Sequence, residues 1–110
     1  MVKEERRILW DVDEELKPYR GVPDMKKMVE GQYTGLIRFM AEHGLFTTSS
    51  ATVDKSGKLT QRIIYLDELT KEGFEFVKLA GNAWFKSKAS AKDPSKTTLL
   101  DKKLAELRGQ

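Results

Sequence analysis

The residues that could do chemistry in this chain are few and scattered. His43 is the only histidine and there is no cysteine. One imidazole and no thiol make a zinc site improbable, since such sites draw on several nitrogen and sulfur ligands. A lone histidine beside a helix end more often meets the terminal carbonyls than it moves protons. Asp11, Asp13, Glu14 and Glu15 cluster, but on a helix they would spread over the polar side, and nothing pairs two of them for acid–base work. No G-x-S-x-G elbow and no phosphate-cradling glycine loop occurs. The expectation is a binding protein and not an enzyme, with no cofactor.

Charge points toward one class of partner. The 110 residues carry a net +3 with a pI near 9.1. Residues 1–30 hold seven basic and eight acidic side chains, whereas 31–66 and 67–110 each run to a net +2. A basic surface is required of a nucleic-acid binder, because phosphate contacts supply most of the non-specific affinity. The same mixed charge also suits an ordinary solvated surface. Cysteine absence, no apolar run of roughly 20 residues and an acidic, h-region-free start predict a cytoplasmic protein with no membrane partner.

Several elements would have to position those charges. Ile8, Leu9, Val12, Leu16 and Tyr19 share a helical face, predicting a first helix over roughly 4–19. Pro23 suits the first turn of a short second helix, Gly31 interrupts the pattern, and a third helix follows over about 32–43. Gly44 is its expected C-cap, with Leu45 packing back. Residues 46–53 are rich in β-branched side chains, 54–57 read as a turn, and 58–66 as a returning strand, together a β-hairpin. Thr70 is the expected N-cap of a fourth helix, which Gly81-Asn82 could kink or end. Residues 86–95 read as a polar, lysine-rich linker. The stripe Leu99, Leu100, Leu104 and Leu107 marks a last helix in 96–110 that must bury against its own domain or a partner.

This order resembles a winged helix-turn-helix domain of the MarR and PadR regulator type over the central part of the chain. The motifs are Gly44-Leu45 closing a helix, Asp54-Lys55-Ser56-Gly57-Lys58 as a wing tip, and Leu69-Thr70-Lys71-Glu72-Gly73-Phe74-Glu75-Phe76 after it. The resemblance implies an α+β fold with a winged-helix-like domain over 1–85, the linker, and a C-terminal helix for dimerisation or docking. It implies a DNA-binding transcriptional regulator, double-stranded DNA as partner and a homodimer. The third helix would enter the major groove, with Gln32, Tyr33, Thr34 and Arg38 facing bases and phosphates, while Lys55, Lys58 and Arg62 on the wing neutralise phosphates. Tyr33 fits a half-buried core position equally well, Arg38 a solvated helix face, and the turn lysines simple solubility. The alternative is a protein-binding module on the same scaffold, such as a phage or plasmid inhibitor or a toxin-immunity protein, with Trp10, Trp84, Phe85 and the leucine stripe as its contact surface.

Overall fold

In the computed structural model, residues 7–47, 54, 56 and 58–109 are described. The chain is α+β: β1 (Ile8–Asp11), α1 (Val12–Leu16), a 3-10 turn (Lys17–Tyr19), α2 (Pro23–Glu42), β2 (Ile63–Tyr65), a second 3-10 turn (Leu66–Glu68), α3 (Lys71–Lys86), α4 (Lys88–Lys92) and α5 (Thr98–Leu107). None of the helices is long and apolar enough to cross a membrane.

The start differs from the expected first helix. Ile8 to Asp11 form a strand antiparallel to β2, with Ile8 opposite Tyr65, Trp10 opposite Ile64 and Asp11 opposite Ile63. Leu9 has no opposite number, which makes a bulge. Asp11 then turns the chain into α1 by accepting the Glu14 N–H on its side chain at 3.2 Å, an N-cap that a helix begun at residue 4 would have hidden in its interior. Val12 and Leu16 are buried from that short helix.

The second and third helices are one. α2 runs unbroken for 20 residues through Gly31. A mid-helix glycine costs only about 1 kcal/mol relative to alanine, too little to break a helix whose later half carries Leu36, Ile37, Phe39 and Met40 into the core. Its end follows expectation: Gly44 takes φ +69°, and the Leu45 and Gly44 N–H groups donate to the Met40 and Ala41 carbonyls. Those two bonds form a Schellman motif, and the buried Leu45 supplies its hydrophobic contact.

Of the expected hairpin over 46–66, the structure describes the closure at its turn, where the Asp54 N–H donates to the Lys58 carbonyl at 2.8 Å. Phe46 bridges Leu69 and the Thr47 N–H donates to the Glu68 carbonyl at 2.7 Å, both beyond the expected returning strand. Residues 48–53 lie outside the described residues. The returning strand is shorter than expected, and its named partner is β1. Thr70 caps α3 through the Gly73 N–H at 2.9 Å, and α3 continues through Gly81-Asn82.

Residues 86–95 are not a free linker. They finish α3, form α4 and bring Pro94 against α2. Ser90 is buried there, holding the chain end to end with Gln32 and the Trp84 carbonyl. α5 lies on α3 and buries Leu100 and Leu104 within the same core as Trp84 and Phe76. Of the two alternatives for the leucine stripe, its own domain or a partner, the inner half takes the first.

Candidate nucleic-acid interface

Of the seven residues expected to face DNA, the six that are described do not form one surface. Gln32 is buried, and its Nε2 donates to Ser90 Oγ at 2.9 Å and to the Phe85 carbonyl at 3.3 Å. Tyr33 is buried between Trp10 and Phe85, with ring centroids 5.8 and 4.6 Å away. Burial pushes its phenol up to about 12. Burial takes Gln32 out of the expected DNA-facing set and gives Tyr33 the core position that its sequence fits equally well. The outward expectation follows from a third helix that begins at Gln32, and in the continuous α2 that position is the start of the core-facing half.

Thr34 is partly buried and donates its hydroxyl to the Glu30 carbonyl one turn back. Arg38 is exposed and spends its Nε on Glu42 at 2.9 Å. Arg62 is engaged twice: Nε and Nη2 donate to Asp13 Oδ1 at 3.1 and 2.7 Å, and Nη1 to Glu30 Oε2 at 2.6 Å. The guanidinium holds the Asp13 carboxyl below the usual carboxylate range, chiefly by hydrogen bonding. Lys58 is exposed beside the Asp54 turn, whose carboxylate accepts the Lys58 and Ser56 N–H groups. Lys55 lies outside the described residues.

A different basic stretch is solvent-exposed. Residues 20–27 are all exposed, comprising the three-residue link after the first 3-10 turn and the first five residues of α2. They include Arg20, Lys26 and Lys27, none of which has an ion-pair partner among the described residues. Val22 and Met25 are 48% and 40% exposed there. Pro23 opens the helix at N1, and no side chain caps it. The sequence predicts a break at 20–23 and then a short second helix with Met25, Met28 and Val29 as its apolar residues. The adjacent pair Lys26-Lys27 directly after an N1 proline was the available signal that the helix start faces solvent.

Beside α2 lies a groove of about 850 Å³, walled on its far side by Ala91–Thr97 and lined by Lys27, Met28, Arg38, Phe39 and Pro94 among others. His43 borders it, but Nδ1 donates to the Phe39 carbonyl at 2.9 Å and the ring stacks on Phe39. No group of three or more acidic or histidine side chains that could hold a metal occurs among the described residues. Comparison with protein-family models, characterised proteins and solved structures returned no match.

Proposed function

We propose that the chain binds duplex DNA through the first turns of α2, with the 54–58 turn as a flanking wing. The observation that carries this reading is the projecting, cationic, uncapped start of α2. The order of elements supports it: α1 and its 3-10 turn span 12–19, a three-residue link follows, and α2 begins at Pro23. Helix-turn-helix proteins use that order and set the N-terminal residues of the second helix against base edges. The winged-helix expectation is thereby kept with its helix-turn-helix moved toward the N-terminus. Arg20, Lys26 and Lys27 then supply phosphate contacts, Met25 an apolar contact, and Lys58 a contact from the wing. A regulatory role and a homodimer belong to this reading as its further consequences.

The test is anisotropy of a labelled mixed-sequence duplex, titrated between roughly 50 and 200 mM salt. Lys26→Ala and Lys27→Ala should each weaken binding and lower the salt slope by about 1. Asp24→Asn should strengthen binding by removing from the same turn a negative charge that repels phosphate. Arg38→Ala should change little, since Arg38 sits about 16 Å along the helix from Lys27. No binding at the lowest salt, or a slope indifferent to both lysines, overturns the reading.

A further inference from the structure

We infer that Arg62 is a positioning residue that fixes the angle between the wing and the helix-turn-helix, and not a phosphate contact. This inference rests on the DNA-binding reading above. Three elements meet at one guanidinium. Arg62 enters β2, Asp13 lies in the first turn of α1, and Glu30 sits at the middle of α2. The backbone is pinned at the same point, because Val12 N–H donates to the Arg62 carbonyl at 2.9 Å.

The fork geometry decides the role. Nε and Nη2 face one carboxylate while Nη1 faces the other, so the planar donor set is divided between two helices. Swinging the guanidinium toward a phosphate would break all three charge-assisted bonds and leave Asp13 and Glu30 facing each other as like charges. The side chain is 35% exposed, half-screened by the elements it joins. Lys58 makes no such side-chain bonds among the described residues; its ammonium acts on the nearby Asp54 carboxylate through charge alone.

The absence of cysteine allows two spin labels to be placed without background, at Gly21→Cys before α2 and Ser56→Cys in the wing turn. The expected result is a narrow distance distribution that at least doubles in width on adding Arg62→Gln and narrows again with Arg62→Lys. The pair Asp13→Asn with Glu30→Gln, which leaves Arg62 in place, should broaden it likewise; an unchanged width in both backgrounds overturns the inference. On the duplex, Arg62→Gln should lower affinity about threefold to tenfold with the salt slope preserved, whereas Lys58→Ala lowers the slope by about 1. A slope that falls by about 1 with Arg62→Gln makes Arg62 a direct contact and overturns the assignment. If the unsubstituted protein binds no duplex, the DNA reading fails by itself and the label distances still decide the strut.

Discussion

Gly35 lies directly beneath Pro94: a Cβ on the glycine would come 2.6 Å from the proline carbonyl oxygen and 3.3 Å from Trp84 Cζ2. Both neighbours are fixed, one being backbone and the other a core indole. Gly35→Ala should therefore destabilise the fold by about 1–3 kcal/mol through overpacking. Gly31 meets only Pro94 Cγ at 3.2 Å, and Gly31→Ala gains up to about 1 kcal/mol of helix propensity. Urea unfolding followed by circular dichroism should show the first variant clearly weakened and the second close to neutral.

Ser90 joins α4 to α2 inside the core. Its hydroxyl donates to the Trp84 carbonyl and accepts from Gln32 Nε2. Ser90→Ala removes one of the two acceptors available to a buried amide, so a loss of about 1–3 kcal/mol is expected. Ser90→Ala with Gln32→Leu should cost less than the two single losses added together, because both polar partners then leave at once. A double-mutant cycle on unfolding free energies measures that coupling.

Thr70 closes the N-terminus of α3 and also donates its hydroxyl to the Leu45 carbonyl at 3.2 Å. Thr70→Ala should cost about 0.5–2 kcal/mol, and Thr70→Ser should restore most of it. Since Leu45 also receives the Thr70 N–H, amide exchange at Thr70 and Gly73 should accelerate in the alanine variant. Unchanged protection at both sites would show that the cap contributes nothing.

Tyr33 should govern part of the alkaline limb. Its phenol rises from 10.0 to about 12 on folding, first through burial. Between those two values the unfolded chain has lost the proton and the native chain has kept it. The contribution is therefore complete below pH 10 and disappears as pH climbs through 12, a loss of at most about 2.7 kcal/mol, which solvent screening reduces. Comparing melting temperature against pH for Tyr33→Phe and the unsubstituted protein isolates the effect, and phenolate absorbance should lose its latest step in the variant.

Some of this architecture was legible from local signals. Gly44-Leu45 and Thr70 mark their helix ends because capping is decided within a few residues. The unbroken course of α2 was not legible from Gly31, since that glycine faces Pro94, 63 positions later in the chain. β1 was hidden for a similar reason: Ile8, Leu9 and Val12 share a helical face, and only β2 gives Ile8 to Asp11 a ladder. The buried fates of Gln32 and Tyr33 followed from that shifted start. Ser90 looked like linker because its partners, Gln32 and Trp84, belong to other helices.

The unbroken course of α2 joins two fates that a turn at Gly31 would have kept apart. At about 1.5 Å per residue the helix is a rod of about 30 Å, rooted in the core at Leu36, Ile37 and Met40 and bare at Pro23 to Lys27. It behaves as a cantilever. The exposed tip can fray by itself, but its aim is set by the packing at the root, so a cavity cut at Met40 would move cations about four turns away without touching one of them.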